Sequence, residues 1–484
     1  MRVSASPAQT APRSAAPPGR VEIEASCRAP LLVLFGGGVL WLFIASLFAL
    51  VASLKFHNPR FMADEPYWTY GRVHAAHLTA LLYGFAVPVA LGVGLWLLCR
   101  LGRAPLAAPY VAALGVVIWN CAVTIGVIGI LCGGGTGFES FEMPGYVAGL
   151  LLAGYLLIAL CGAVTFHLRA AGRLYPSQWF VLGALFWFPW IFSTAAMMLL
   201  FMPVRGVVQA SVAWWFAHNF NTVFLGFAGL ASIFYFIPKL LGRPLHSYHL
   251  AGLAFWTLAL FGSWGGIPDG APVPAWIVSM GVVGTVLTAV PLLAVALNFC
   301  HTVRQDLNTL DANPALRFTY VGLIFWLIAG AHQIVGVLPH VSELTNFTWF
   351  AVAQKELFQY GFFTLTMFGA IYYITPLLLD KERPPVWAAI LVKWHFWLTF
   401  IGVLISYLAL AVGGVGQGIY LSDAKYLFPQ IMKATLVTLR VSTLGDLLIV
   451  AGTICFLLNF ALLLAQSAYR CWADYGAGAR KERR

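Results

Sequence analysis

Apolar residues in this chain come in long runs, and each run is long enough to form one membrane-crossing helix of roughly 20 residues. Such windows lie near 31–55, 73–100, 109–132, 145–168, 178–203, 211–238, 249–267, 275–300, 317–340, 348–378, 387–414 and 435–467. The breaks between them hold glycine, proline and charge, as in LGRAP, GGGTGFESFEMP, LGRPLHSY and DKERPP. No run shows the strict alternation of a barrel strand. A bilayer offers no water to exposed amides, so a spanning segment of this length closes its hydrogen bonds within a helix. The pattern predicts an all-α polytopic membrane protein with twelve transmembrane helices.

Composition agrees. Hydrophobic residues make up 61% of the 484 and charged residues 9%, against about 25% charged in soluble domains. The net charge of +11 does not point to nucleic acid, because the bases lie in short segments between apolar runs. Its first partner is the lipid bilayer. The eight cysteines are scattered, with no C-x-x-C or C-x-x-C-H, so there is no disulfide framework, zinc clip or covalent haem attachment to read. Residues 1–30 read as a disordered N-terminal tail, rich in Ala, Pro, Ser and Arg. Residues 31–468 read as one membrane domain and 469–484 as a basic C-terminal tail.

Charge sets the orientation. The two tails hold nine Lys and Arg, and the even-numbered loops hold ten. The odd-numbered loops hold about six. The positive-inside rule therefore places both termini in the cytoplasm, and an even number of spans agrees.

Ionisable groups at membrane depth are costly and suggest function by default. The candidates are His77, His218, His332, Lys355, Glu356, Lys393, His395, Arg440 and Asp446. Each also has a bland reading. A lone histidine is often satisfied by a neighbouring carbonyl. Lys393 and His332 can snorkel toward an interface. Arg440 and Asp446 are six apart on one helix and do not face each other. Neutral imidazole suits haem iron and copper alike, yet no pair here has a diagnostic spacing.

The order of several strings adds more. YGRVHAAHLTALLYGF (70–85) opens the second span. QASVAWWFAHNFNTVFLGFAGLASIFYFIPKLLGRPLHSY (209–248) covers the sixth. TMFGAIYYITP (366–376) ends the tenth, and WHFWLTFIGVLISYLAL (394–410) lies in the eleventh, followed by GGVGQGIY (413–420). Together with WTYGR and GGGTGFESFEMP in the outer loops, these resemble subunit I of the heme-copper oxygen reductase superfamily, most like its cbb3-type branch. The resemblance runs in order from about residue 35 to 465. It implies a twelve-helix fold in a bacterial inner membrane, with a low-spin haem, a high-spin haem and a copper in aerobic respiration.

Carried over residue by residue, the resemblance places His77 at the low-spin haem ligand of the second helix. It places His218 at the first copper ligand of the sixth. The family's other ligands have no counterpart. On the seventh helix Gly262 stands where the family has its tyrosine, and Pro268–Asp269 where it has two adjacent histidines. On the tenth, Gln354-Lys355-Glu356 stands where it has His-x-His, and no histidine occurs between 341 and 394. One histidine does not hold copper selectively, so a copper site is not expected. One haem on His77 stays open, with Lys355, Met367 or His395 as its second ligand. The competing expectation is a His77–Glu356 charge-assisted pair across a vacated haem space.

Four readings follow. The first is a degenerate cytochrome c oxidase subunit I-like protein that does not reduce oxygen and is accessory or structural. The second is a single-haem electron-transfer module. The third is a functional terminal oxidase with unorthodox ligands, and the fourth a transporter. Whether the chain is an enzyme stays open at this point. The implied partners are other respiratory-complex membrane subunits or cytochrome c-type subunits.

Overall fold

The computed structural model describes residues 19–303, 313–380 and 383–481, without the side chains of 20, 21 and 475–484. Twelve main helices follow one another: α1 (Arg20–His57), α2 (Tyr70–Gly102), α3 (Pro109–Leu131), α4 (Gly145–His167), α5 (Pro176–Phe201) and α6 (Val207–Leu241). They continue as α7 (Tyr248–Gly262), α8 (Ala275–Val303), α9 (Pro314–Gly336), α10 (Trp349–Leu379), α11 (Ala389–Leu421) and α12 (Phe428–Lys481). Eleven are long and apolar enough to cross a membrane; α7 is a shorter apolar helix. The described residues contain no strand.

The ends depart from expectation where local chemistry decides. Helix α1 begins at Arg20 rather than 31. Residues 20–30, expected in the tail, belong to the helix because Ile23, Glu24 and Cys27 are buried. Glu24 also pairs with Arg100 of α2 at 3.3 Å. Residues 1–18 lie outside the described residues. At the other end α12 runs on through the segment expected as a basic tail, as far as Lys481. Helix α7 stops at Gly262 instead of 267, since Gly265, Gly266 and Pro268 do not sustain a helix.

Three helices lie innermost. Helices α2, α6 and α10 are the most enclosed, and the others show a lipid-accessible side. They are apolar all round, which suits a buried helix. Each carries a stretch of wide, π-type turns: Ala80–Ala86, Asn219–Leu225 and Leu357–Thr364. These begin within three residues of His77, His218 and Glu356. Wide turns of this kind often mark functional positions.

Small residues let the backbones approach, as in other membrane bundles. Helix α11 runs along α12, and at their crossing a Cβ on Gly402 would lie 2.8 Å from the Gly445 carbonyl oxygen. In the centre, the tip of the Phe362 ring of α10 abuts Gly229 of α6, where a Cβ would meet it at 2.2 Å.

Candidate functional site

His218 sits on the last turn of α6 before its wide turns. Its Nε2 is 2.8 Å from the carbonyl oxygen of Gly262. Its Nδ1 is 3.5 Å from the Gln333 amide nitrogen of α9, which also donates to Thr222 Oγ1 at 3.3 Å. A neutral imidazole with its proton on Nε2 satisfies both contacts, donating to the carbonyl and accepting from the amide. Both ring nitrogens are therefore engaged.

After Gly262 the chain leaves the helix and folds back over this ring. A Cβ on Gly265 would lie 2.6 Å from His218 Cε1 and Nε2. One on Gly266 would lie 2.4 Å from His218 Cβ. Gly266 also has φ +105°, a conformation that favours glycine. Pro268 and Asp269 follow in the loop, away from the imidazole. Asp269 accepts hydrogen bonds from the Gly270 amide at 3.0 Å and the Ser342 hydroxyl at 3.2 Å. The arrangement does not fit copper on His218. Backbone lies against the ring, and the positions expected to carry partner ligands are drawn into a loop. Among the described residues, no three His, Cys, Asp or Glu side chains converge as a metal cage.

His77 is buried on α2, with Nδ1 3.0 Å from the Ala45 carbonyl oxygen. A hydrogen bond of this kind fixes the ring's orientation and would leave Nε2 to hold a metal. Its ring lies parallel to Tyr360 of α10, with centroids 6.3 Å apart. The expected His77–Glu356 pair is not formed. Glu356 instead accepts a hydrogen bond from Ser406 of α11 at 2.7 Å. Gln354, two residues earlier, is partly buried.

The proposed second ligands are committed elsewhere. Lys355 pairs with Glu139 of the loop before α4. His395 holds the Tyr372 hydroxyl at 2.9 Å between the rings of Phe318, Phe368 and Phe456. It also lies near the start of α11, at the opposite side of the bundle from His77. Met367 is fully buried in the core, two turns beyond Tyr360. His77 is thus the one residue of this set whose surroundings would suit holding a haem, and Lys355, Met367 and His395 would not supply a second ligand beside it.

Sequence reasoning missed two amides that close the centre. Gln359 donates to Asn221 Oδ1 at 2.7 Å, joining α10 directly to α6. Asn221 also reaches Ser140 Oγ at 3.4 Å, and Tyr83 of α2 donates to the Ser140 carbonyl at 2.8 Å. The 132–144 loop is thereby tied to all three central helices. Glu142 completes the tie by accepting from the Ser140 amide at 2.8 Å. It is 5% exposed, and its Oε2 has no hydrogen-bond partner among the described residues. Burial pushes its carboxyl up to about 8, opposed by backbone hydrogen bonds. The signal for the amides was present: Asn221 and Gln359 each stand three residues past a ligand position in an otherwise apolar run.

The other intramembrane candidates divide. His332 is buried against Phe350 and bonds to the Tyr407 hydroxyl at 3.1 Å. Lys393 and Arg440 are exposed on the bundle surface. Asp446 is half-buried on α12, one turn beyond Thr443.

Fold and site together define a class: a multi-pass helical membrane protein with buried polar side chains on three enclosed helices. The chain belongs to the family described as Cytochrome C and Quinol oxidase polypeptide I, matched over residues 29–448. It is similar to a cytochrome c oxidase subunit 1 homolog of Azorhizobium caulinodans, 25% identical over 449 residues, covering 89% of this chain and 80% of that one. It is also similar to the cbb3-type cytochrome c oxidase subunit CcoN1 of Stutzerimonas stutzeri, 25% identical over 371 residues, covering 74% and 76%. A cytochrome c oxidase subunit 1 of Corynebacterium diphtheriae is 24% identical over 415 residues, covering 75% and 69%.

Proposed function

We propose that this chain is a subunit I-like protein that does not reduce oxygen and serves as an accessory or structural member of a respiratory membrane complex. The observation that carries this reading is the 263–270 backbone laid against His218, whose Nε2 is bonded to the Gly262 carbonyl. Oxygen reduction in such a site needs copper opposite an open haem iron, and the residues around His218 offer no second or third copper ligand. Gln354 and Glu356 likewise replace the histidines that would hold the two haems. Fold alone does not settle activity; the site does. The chain sits in a bacterial inner membrane with both termini cytoplasmic, and its partners are other membrane subunits or cytochrome c-type subunits.

A second reading has its own support. The Nδ1–Ala45 bond leaves His77 prepared as a single axial ligand, which favours a one-haem electron-transfer role. Two assays on the purified chain separate the readings. Oxygen uptake with a reduced donor is expected to be absent with and without cyanide; cyanide-sensitive turnover overturns the main reading. Haem extraction from wild type and His77→Ala is expected to yield none in either. A haem lost only in His77→Ala favours the second reading.

A further inference from the structure

We propose that Cys27 and Cys99 form a redox modification site, a buried dithiol that hydrogen peroxide converts to a disulfide joining α1 to α2. Cys27 lies near the start of α1 and Cys99 on the last turn of α2. Their sulfurs are 3.4 Å apart, both residues are 0% exposed, and both are free thiols. A disulfide holds its sulfurs about 2.05 Å apart, so the two side chains have only about 1.4 Å to close between them. Among the described residues no other two cysteines make a sulfur–sulfur contact.

The flanking residues hold the pair in register. Glu24, one turn before Cys27, pairs at 3.3 Å with Arg100, the neighbour of Cys99. The same two helices thus meet twice within one turn, once through charge and once through sulfur. The first turns of α1 also hold the end of α10, where Arg28 Nε donates to the Leu378 carbonyl at 2.7 Å. A disulfide at this corner ties all three elements down.

The way in lies under the connection from α2 to α3, residues 103–108. Ser26 Oγ is 3.6 Å from the Cys27 sulfur and accepts from the Leu106 amide at 2.9 Å. The next amide, of Ala107, donates to Thr165 Oγ1 of α4 at 2.9 Å. At the two ends of the connection stand Arg103, with φ +51°, and Ala108, with φ +47°. Both are non-glycine residues in the left-handed region, which is strained. Breaking two side-chain hydrogen bonds relieves that strain and uncovers Cys27.

The chemistry is a two-electron oxidation. The Cys27 thiolate attacks one peroxide oxygen, the O–O bond breaks, and the departing hydroxide takes up the thiol proton as water. Cys27 is then a sulfenic acid. The Cys99 sulfur attacks the Cys27 sulfur, the S–O bond breaks, and the second hydroxide leaves with the Cys99 proton. Two thiols and one peroxide give one disulfide and two waters, and a small dithiol reverses the bond by exchange. With this end of the bundle facing the cytoplasm, as proposed above, the dithiol is the resting form.

Purified full-length protein treated with hydrogen peroxide, then alkylated after denaturation and mapped by mass spectrometry, tests the site. A Cys27–Cys99 cross-linked peptide is expected in most chains and is expected to vanish after dithiothreitol. Free thiols at both positions once the exposed Cys132 and Cys471 are oxidised overturn the proposal. So does oxidation of Cys27 or Cys99 beyond the sulfenic acid without a cross-link. These outcomes need wild type alone. In Cys99→Ser, dimedone is expected to capture Cys27 as its sulfenic acid, and capture at Cys132 or Cys471 but not at Cys27 overturns the order of attack. Ser26→Ala frees the Leu106 amide and is expected to speed cross-linking roughly threefold or more by favouring local opening. An unchanged or slower rate overturns the entry route.

Discussion

Glu142 offers a pH signature that can be worked out in advance. Its carboxyl anchors the 132–144 loop through the Ser140 amide and is almost wholly enclosed. Burial holds the proton on it up to about pH 8, against an ordinary value of 4.5. Below 4.5 both folded and unfolded chains carry that proton, so it contributes no difference. Between 4.5 and 8 the unfolded chain has released it while the folded chain keeps it. Stability therefore falls as pH rises through this window, and the loss is complete above 8. At about 1.36 kcal/mol per unit the whole effect is on the order of 5 kcal/mol, of which roughly 3 kcal/mol falls between pH 6 and 8. Thermal unfolding in detergent, followed by circular dichroism at several pH values, reads it directly. Wild type is expected to lose several degrees from pH 6 to 8.5, whereas Glu142→Gln, which stays neutral, stays flat over that range. Parallel slopes in the two proteins would refute the assignment of the titration to Glu142.

The contact between the 263–270 loop and His218 can be probed by steric coupling. Gly265→Ala puts a methyl 2.6 Å from the ring and is expected to cost about 1–3 kcal/mol. His218→Ala in the same chain should recover most of that, and a strictly additive double variant would contradict the packing. The Gln359–Asn221 bond predicts a second cycle. Either residue changed alone to leucine strands a buried amide at a cost of about 1–3 kcal/mol, while the double leucine variant costs less than the sum. Additive losses would mean that the two amides do not meet.

The resemblance carried much of the architecture. The apolar windows located the helices, and the ordered strings identified the family and put His77 and His218 on enclosed helices. The sequence was less informative where contacts join distant segments. A hydropathy window averages over Gly265, Gly266 and Pro268, so it extended α7 to 267 and hid the fold-back over His218. The register that aligned Glu356 with a haem ligand suggested His77 as its partner. Its hydrogen-bond partner is instead Ser406, 50 residues further along and brought in by α11. Asp446 could be compared only with Arg440 on its own helix until the bundle showed which side it faces. The start of α1 was missed because residues 20–30 read as part of a tail rich in Ala, Pro, Ser and Arg, whereas burial of Ile23 and Cys27 and the pairing of Glu24 with Arg100 make them part of the packed helix.

On the function proposed above, the ligand positions of this subunit I-like chain do not hold a binuclear centre. The most direct test is metal analysis combined with an absorption spectrum of the full-length protein, purified from a membrane supplied with haem and copper. No stoichiometric copper and no high-spin haem band are expected. Stoichiometric copper together with a high-spin haem, both lost in His218→Ala, would contradict it.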